Sequence, residues 1–232
     1  MNGDAVLLNI PQVLDRETVL EWRRLVTDAD WADGRSTAGT QSNQVKNNLQ
    51  LPEDAPAAAR ARALVLQALS TNALFFTAAL PKRIYPPLFN RYEGASNAFG
   101  SHIDNAIRTH PASARHVRCD LSATLFLSDP DSYDGGELVI EDSFGSQRVK
   151  LAAGDLVLYP ASSVHRVEPV TRGARLACFM WIESMVRETE RRRLLYELDM
   201  AILALRTDNG DSPAVVRLTG CYHNLLRMWT EV

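Results

Sequence analysis

Apolar residues in the first third of the chain follow helical spacing. In the segment DRETVLEWRRLVTDAD, Val19, Trp22 and their apolar neighbours recur at three- and four-residue intervals, and Asp15 stands where an N-cap residue belongs. A second helical stretch opens with Pro56 and closes at Pro81. The polar segment between these stretches, WADGRSTAGTQSNQ, predicts a loop that either holds substrate or simply connects two helices.

From residue 82 the apolar period shortens toward two, the period of a half-buried strand. Short apolar runs alternate with Gly, Pro and Asp residues, which favour turns: HVRCDLSATLFLSD, GELVI, SQRVKL, GDLVLYP, SVHRVEPV and ARLACFMWIES. Short strands at this spacing predict an antiparallel barrel or a double-sheet jelly roll. After Ser184 the period becomes helical again, in MVRETERRRLLYELDMAILALR and in PAVVRLTGCYHNLLRMW.

These changes of period divide the chain into three regions. Residues 1–81 are predicted to form a mainly helical support, residues 82–184 a β core, and residues 185–232 a helical extension. The predicted fold class is therefore α+β, with a jelly-roll core, supporting N-terminal helices and a C-terminal helical extension.

The C-terminal helices carry more apolar residues than a solvated helix needs. One predicted face contains Leu194, Leu195, Leu198, Ile202 and Leu205, and a second contains Val216, Leu218, Tyr222, Leu225, Leu226 and Trp229. We expect these faces to pack on the β core or on another subunit. The sequence therefore leaves open whether the protein forms a homo-oligomer. The basic run from Arg191 to Arg193 is expected to be a solvated helix edge.

Composition excludes several classes of function. The chain has 232 residues, is 46% hydrophobic and carries a formal net charge of -3, which is typical of a folded protein with a sizeable core. Lysine and arginine are scattered, so the basic patch of a nucleic-acid-binding protein is missing. The most apolar helical stretch, ALVLQALSTNALFFTAAL, is interrupted by polar residues and is a poor membrane span.

Cysteine usage and the N-terminal sequence indicate a reducing compartment. Cys119, Cys178 and Cys221 are far apart and odd in number, which argues against a disulfide framework. The segment MNGDAVLLNIPQ has no basic region before its apolar run and no small-residue cleavage pattern. The expected location is the cytoplasm.

His102 and Asp104 are the first candidate site residues. In a strand, residues two apart point to the same side, so both side chains can face a barrel interior while Ile103 faces away. This spacing offers a nitrogen and an oxygen to one metal ion. The pair alone is weak evidence, because many surface strands carry such a pair by chance.

A second histidine, His165, opens a later strand of the same β unit. Two imidazoles and one carboxylate form the facial triad of non-haem Fe(II) oxygenases, which leaves coordination positions for a cosubstrate and oxygen. A structural zinc site would prefer four ligands, usually with thiolates, and neither motif contains a cysteine. The predicted ligand set is therefore His102, Asp104 and His165. The remaining histidines, His110, His116 and His223, lack a partner at ligand spacing.

Arg175 is the candidate that makes the iron hypothesis more specific. It lies ten residues beyond His165 in the predicted hairpin VEPVTRGARL, and a guanidinium there could hold a carboxylate in a bidentate fork. If this hairpin closes about Arg172, His165 lies opposite Phe179 and roughly 13 Å from Arg175 along the strand. Arg166 and Arg172 are rival candidates. Arg166 directly follows His165, so its side chain is expected on the opposite face of the strand, and Arg172 is expected at the turn.

The quoted motifs together resemble a known family. NRYEGASNAFGSHID, DGGELVIED, AGDLVLYPASSVHRVEPVTRGARL and the tail VVRLTGCYHNLLRMW are similar to the bacterial PKHD-type hydroxylases, a branch of the Fe(II)/2-oxoglutarate dioxygenases related to prolyl 4-hydroxylase. The resemblance covers essentially the whole chain.

The resemblance implies a double-stranded β-helix core, with iron on His102, Asp104 and His165 and the distal carboxylate of 2-oxoglutarate on Arg175. It also implies that Tyr92 hydrogen-bonds the cosubstrate, although a buried ring with a satisfied hydroxyl would explain this tyrosine equally well. The implied reaction consumes O2, hydroxylates an unactivated C–H bond and releases succinate and CO2, with ascorbate as the reductant that restores oxidised iron.

Two other functions remain open at this point. A cupin-like binding or sensor module would use the same metal site without turnover, and an AlkB-like nucleic-acid demethylase is disfavoured by the acidic charge balance. The implied substrates are small molecules, amino acids or peptides, with no nucleic-acid or membrane partner. The residues that select among them are expected in loops, at residues 31–48 and 105–116.

Overall fold

A computed structural model of the chain describes residues 7–37, 39–110, 113–142 and 145–232. The helices in these ranges are α1 (Arg16–Val26), α2 (Thr40–Asn43), α3 (Pro56–Thr71), α4 (Ala73–Ala79), α5 (Thr189–Asn209) and α6 (Pro213–Trp229). The strands are β1 (Leu8–Ile10), β2 (Ala32–Asp33), β3 (Lys46–Asn47), β4 (Leu49–Gln50), β5 (Pro81–Ile84), β6 (Leu88–Tyr92), β7 (Ala98–His102), β8 (Ile107–Thr109), β9 (His116–Arg118), β10 (Leu121–Phe126), β11 (Asp134–Gly135), β12 (Leu138–Asp142), β13 (Gly145–Val149), β14 (Leu156–Pro160), β15 (His165–Val167), β16 (Val170–Arg172) and β17 (Arg175–Ser184).

Two antiparallel sheets form the centre of the molecule. The larger sheet has the order β1-β14-β10-β17-β6-β4-β2, with β5 also paired to β17, and the smaller has the order β13-β12-β15-β7-β3. The chain passes repeatedly from one sheet to the other, as between β14 in the larger sheet and β15 in the smaller. This alternation produces a jelly roll, so the predicted α+β fold with a jelly-roll core is confirmed.

The larger sheet has a different partner on each face. Its outer face packs against α1 and α3 in an apolar cluster that includes Trp22, Val65, Met180 and Ile182. Full burial of such side chains stabilises the fold by about 1.5–3 kcal/mol each. The inner face meets the smaller sheet, and a second cluster there contains Tyr92, Phe126 and Ile140, among others. The functional cleft opens between the two sheets.

The N-terminal region contains strands as well as helices. Asp15 caps α1 as predicted, because its carboxylate accepts a hydrogen bond from the backbone N–H of Thr18 at 2.8 Å. The stretch from Pro56 forms two helices, divided at Asn72, whose side chain caps α4. The polar segment 31–44 is not simply a loop, because β2 and α2 lie within it and β2 pairs with β4.

The C-terminal helices dock on the rest of the fold. Their buried side chains, Leu195, Ile202, Val215 and Tyr222, form one apolar cluster with Leu80 and Val186. The predicted faces are wrong at Leu194, Leu205 and Val216, which are 50%, 40% and 58% exposed. The solvated-edge prediction is wrong at Arg192, because this buried side chain donates to the carbonyls of Val186 and Arg187 and orders the turn before α5.

Within the described ranges, none of the helices combines the length and the apolar character needed to cross a membrane. The division of the chain at residues 81 and 184 stays a prediction. The structure adds to it that β1, β3 and β4, which lie before residue 82, pair with strands of the β core, and that β2 pairs with β4.

Candidate active site

Three side chains with metal-ligand chemistry meet between the sheets. His102 ends β7, Asp104 follows two residues later, and His165 begins the neighbouring strand β15, where it is the register partner of His102. One ligand atom from each residue lies within 4.8 Å of the other two. The Nε2 atom of His165 is 3.7 Å from Oδ2 of Asp104. The three residues that the sequence predicted as a ligand set are therefore brought together.

Hydrogen bonds orient all three groups. The Nδ1 atoms of His102 and His165 lie 2.8 Å and 3.0 Å from the carbonyl oxygens of Gly100 and Ser163. A carbonyl only accepts, so each Nδ1 carries the proton and each Nε2 keeps its lone pair for a cation. The hydroxyl of Ser122 donates to Oδ2 of Asp104 at 2.6 Å. Together these bonds hold two nitrogens and one carboxylate toward a common point.

The electrostatic surroundings favour a neutral imidazole at His102. Burial, together with the neighbouring His165 ring, lowers the pKa of His102 to about 4, so this ring is uncharged at neutral pH. The ring of Phe99 stacks on His102 with centroids 3.6 Å apart. Burial raises the pKa of the nearby thiol of Cys119 to about 12, which keeps it protonated. The donor set thus fits Fe(II) and lacks the thiolate that a structural zinc site prefers.

Arg175 reaches the same cleft from the larger sheet. It is 1% exposed, and its guanidinium carbon is 5.2 Å from the ring of Tyr92 and 5.1 Å from that of Phe126. Within the part of the chain that the structure describes, its Nε and Nη1 atoms have no hydrogen-bond partner. Leaving buried cationic donors unpaired is costly, so their presence indicates a site for an anionic ligand.

The predicted hairpin between His165 and Arg175 is wrong. Strand β15 pairs with β12 and β7, β16 pairs with β11, and β17 belongs to the other sheet. His165 therefore does not lie opposite Phe179, because the chain crosses between the two sheets after β15. The rival arginines are both engaged elsewhere: Arg166 binds Glu141 and Glu168, and Arg172 binds Asp134.

Tyr92 lines the cleft beside Arg175. The two residues are register partners on β6 and β17, and Tyr92 is 1% exposed. Its hydroxyl accepts a hydrogen bond from Nδ2 of Asn90 at 3.3 Å. Burial raises the pKa of Tyr92, so the hydroxyl keeps its proton and can donate to a ligand oxygen.

The cleft between the two sheets has two distinct ends. We call the region around Tyr92, Phe126 and Arg175 the inner end, because all three are almost fully buried. We call the region around Trp181 and Arg108 the outer end. Ser122, the hydrogen-bond donor to Asp104, pairs in register with Trp181, so the three candidate ligands lie toward the outer end.

Several lining residues were not found by sequence reasoning. They include Lys46, Asn48, Asn90, Arg108, Ser122, Tyr159 and Trp181. Three of them, Lys46, Asn48 and Arg108, fall within the segments 31–48 and 105–116 that were expected to select substrate, but nothing in the pattern singled them out. Gly136 lies just before β12. Its φ of +68° fits a turn, yet a Cβ there would also lie 3.1 Å from Cδ of Arg175.

Comparisons with known proteins agree with this geometry. Residues 87–183 match the model of the 2OG-Fe(II) oxygenase superfamily, and residues 190–231 match that of the PKHD-type hydroxylase C-terminal domain. A PKHD-type hydroxylase of Nitrosomonas eutropha is 59% identical over 97% of this chain and 100% of its own length. The chain belongs to the PKHD-type hydroxylase family. A relative from Xanthomonas euvesicatoria pv. vesicatoria is also 59% identical, over 98% of this chain and all of its own length.

Solved structures share the fold of this PKHD-type hydroxylase family member. A prolyl hydroxylase from Trichoplax adhaerens, solved with a peptide fragment of the hypoxia inducible factor oxygen degradation domain, superposes with a TM-score of 0.58 at 14% identity, covering 82% of this chain and 86% of that one. A Pseudomonas putida prolyl-4-hydroxylase gives 0.50 at 22% identity, covering 77% and 92%. The predicted family and the enzyme class, a 2OG-Fe(II) oxygenase, are confirmed, and the family implies Fe(II), 2-oxoglutarate and O2.

Proposed function

We propose that this enzyme hydroxylates an unactivated C–H bond of a small-molecule, amino-acid or peptide substrate. Substrate, 2-oxoglutarate and O2 are converted to hydroxylated product, succinate and CO2, so one oxygen atom enters the product and the other enters succinate. The observation that carries the proposal is the convergence, in one cleft, of the His102, Asp104 and His165 side chains with the buried guanidinium of Arg175, two of whose nitrogens have no partner among the described residues.

His102, Asp104 and His165 are the proposed iron ligands. Bound Fe(II) would supply the redox chemistry with O2. The backbone carbonyls of Gly100 and Ser163 keep both imidazoles in the tautomer that presents Nε2, and Ser122 holds the carboxylate. Such supporting hydrogen bonds position the ligands before any metal arrives.

Arg175 and Tyr92 are the proposed cosubstrate-binding residues. A planar guanidinium can donate charge-assisted hydrogen bonds to the distal carboxylate of 2-oxoglutarate, and the Nε and Nη1 atoms of Arg175 have no partner among the described residues. The hydroxyl of Tyr92 would add a hydrogen bond from the neighbouring strand. A metal-binding module that only captures a ligand has no need for a carboxylate site of this kind, so Arg175 favours the hydroxylase over the cupin-like alternative.

The cytoplasm is the proposed location and ascorbate the proposed reductant. Cys119, Cys178 and Cys221 are all free thiols, which is the state that a reducing compartment maintains. Ascorbate would return oxidised iron to Fe(II) between turnovers. The oligomeric state stays open.

Adding Fe(II) and 2-oxoglutarate without oxygen tests the proposal. We expect a visible metal-to-ligand absorbance band, and succinate formation once oxygen is admitted. The His165→Ala variant should give neither signal, while the matched His116→Ala variant, which changes an exposed histidine, should give both. Absence of the band and of succinate in the unmodified protein would contradict the hydroxylase and favour a binding module.

A further inference from the structure

A buried asparagine, Asn48, lines the cleft without a role in the function proposed above. It lies between β3 and β4 and is 2% exposed. Within the described ranges, neither Oδ1 nor Nδ2 of its side chain has a hydrogen-bond partner. Burying a carboxamide without partners is unfavourable, so a ligand that pairs with it would offset this cost.

Strand pairing places Asn48 at the inner end of the cleft. Strand β4 pairs with β6, with Leu49 opposite Arg91, and continuing this register by one residue puts Asn48 opposite Tyr92. Tyr92 is in turn the register partner of Arg175 on β17. Residues that lie directly opposite on antiparallel strands have Cβ atoms about 5 Å apart, on the same face of the sheet. Asn48, Tyr92 and Arg175 therefore form one row across three neighbouring strands of the larger sheet.

The side-chain nitrogen of Asn48 faces the hydroxyl of Tyr92. A Cβ added at Gly34 would collide with Oδ1 of Asn48, so the oxygen lies against Gly34. Burial raises the pKa of Tyr92, whereas Arg175 and the amide of Asn48 oppose this rise, as a donor near the hydroxyl does. Only the NH2 group of a carboxamide donates. Nδ2 therefore points into the inner end, although it makes no well-formed hydrogen bond with Tyr92.

The position of Asn48 favours the cosubstrate over the primary substrate as its ligand. Arg175 and Trp181 lie six residues apart on β17, which is roughly 20 Å at strand rise. The carbon to be hydroxylated has to lie near the candidate iron ligands, which are toward Trp181. The row of Arg175 is therefore left to 2-oxoglutarate.

The distal carboxylate of 2-oxoglutarate can accept a further hydrogen bond at this row. A carboxylate offers about four acceptor positions, and Arg175 and Tyr92 would fill about two or three of them. The NH2 group of Asn48 is a neutral donor, so it would add a hydrogen bond without placing a second positive charge next to Arg175.

We propose that Asn48 is a third cosubstrate-binding residue, whose Nδ2 donates a hydrogen bond to the distal carboxylate of 2-oxoglutarate beside Arg175 and Tyr92. This assignment rests on the proposed function, because it takes the inner end to hold 2-oxoglutarate. It gives the segment 31–48 a role in binding the cosubstrate, in addition to the substrate selection that the sequence predicts.

Titration of the metal-to-ligand absorbance band tests the assignment. Protein loaded with Fe(II) is titrated with 2-oxoglutarate without oxygen, so the dissociation constant is measured without turnover. Asn48→Ala should raise this constant by about tenfold, because a hydrogen bond to a charged group is lost. Asn48→Asp should raise it by about thirtyfold or more, because the new carboxylate repels the ligand. A residue that only packs would give the opposite order, since aspartate keeps the volume of asparagine and alanine does not.

The neighbouring Asn47 provides the matched control. It is exposed, lies outside the cleft lining, and donates from Nδ2 to the carbonyl of Ala95 at 2.6 Å. Asn47→Ala and Asn47→Asp make the same chemical changes one residue away. Both should leave the dissociation constant within about twofold of its value in the unmodified protein.

A double variant separates direct contact from the positioning of Tyr92. If Asn48 contacts 2-oxoglutarate itself, Asn48→Ala should still weaken binding by about fivefold or more in the Tyr92→Phe background. If Asn48 acts only by holding the hydroxyl of Tyr92, the loss should disappear in that background.

Three outcomes would overturn the assignment: unchanged affinity in Asn48→Ala, a larger loss in Asn48→Ala than in Asn48→Asp, or a loss that disappears in the Tyr92→Phe background. Asn48→Asp preserves the shape of the side chain, so unchanged affinity in this variant would also overturn the assignment if the alanine variant does not fold. Failure of the unmodified protein to form the band would instead contradict the proposed function, and the Asn48 assignment with it.

Discussion

The two ends of the cleft both contain cations, but they are built differently. At the inner end, Arg175 is 1% exposed and is held by the rings of Tyr92 and Phe126 on strands of the larger sheet. At the outer end, Lys46 and Arg108 come from short peripheral strands, β3 and β8. The inner end therefore depends on the pairing of the core sheet, while the outer end depends on segments that can change without altering that sheet.

This difference separates the residues proposed to support the reaction from those predicted to select the substrate. The inner end and the three candidate ligands concern the reaction, because they would bind the metal and the cosubstrate. The outer end includes Lys46 and Arg108, from the two segments that the sequence predicts to select the substrate. Changes at each end should therefore affect different measured quantities, and the following predictions are ordered by expected size.

The largest effect is expected at the candidate iron ligands. His102→Ala, Asp104→Ala or His165→Ala should abolish turnover and weaken iron binding, because two remaining ligands hold the ion poorly. The fold should persist, since the apolar clusters do not depend on these side chains. Metal analysis, succinate production and far-UV circular dichroism would check this. Full iron occupancy in any one variant would show that the substituted residue is not an iron ligand.

The second largest effect is expected on 2-oxoglutarate binding at the inner end. Arg175→Ala should retain iron but raise the 2-oxoglutarate concentration for half-maximal succinate production by roughly thirty-fold or more, because breaking a buried charge pair costs about 2–5 kcal/mol. Arg175→Lys should recover only part of this loss, since lysine lacks the planar fork.

Arg166→Ala and Arg172→Ala are the controls for Arg175, because both side chains form ion pairs outside the cleft lining. A shift in the half-saturating concentration for one of these controls, with none for Arg175→Ala, would show that the wrong arginine has been chosen. No shift in any of them would count against a 2-oxoglutarate site at the inner end.

A smaller effect is expected at Gly136. An alanine Cβ would lie 2.9 Å from Tyr133 and 3.1 Å from Cδ of Arg175, so Gly136→Ala should move the guanidinium and weaken 2-oxoglutarate binding by about fivefold. Gly94→Ala is the matched control, because Gly94 also has a positive φ but a Cβ there meets no atom within 4 Å. Both variants should lose thermal stability through backbone strain. Equal 2-oxoglutarate affinity in the two would show that Gly136 does not position Arg175.

The smallest effect is expected for Tyr92→Phe. Loss of one neutral hydrogen bond should raise the half-saturating 2-oxoglutarate concentration by about threefold and leave iron binding unchanged. A titration of succinate production against 2-oxoglutarate would measure this. An unchanged value would indicate that Tyr92 is a packing residue whose hydroxyl is satisfied by Asn90.

Much of the site could be predicted from the sequence because its signals are local. The spacing of His102 and Asp104 places both on one side of a strand end, and His165 opens a strand of the same β unit. Helix caps are equally local, as Asp15 shows. The hairpin from His165 to Arg175 failed because strand period does not reveal which strands pair, and the chain here crosses from one sheet to the other.

The sequence by itself determined α1, a jelly-roll core followed by C-terminal helices, the candidate ligand set and the family resemblance, because these depend on period, spacing and motifs along the chain. Only the tertiary structure decided which partners meet across the cleft. It placed Arg175 beside Tyr92 at the inner end, and it brought Lys46 near Arg108 although 62 residues separate them in the sequence. The physical reason is that sheet pairing and the packing of two sheets join segments that are distant in the sequence.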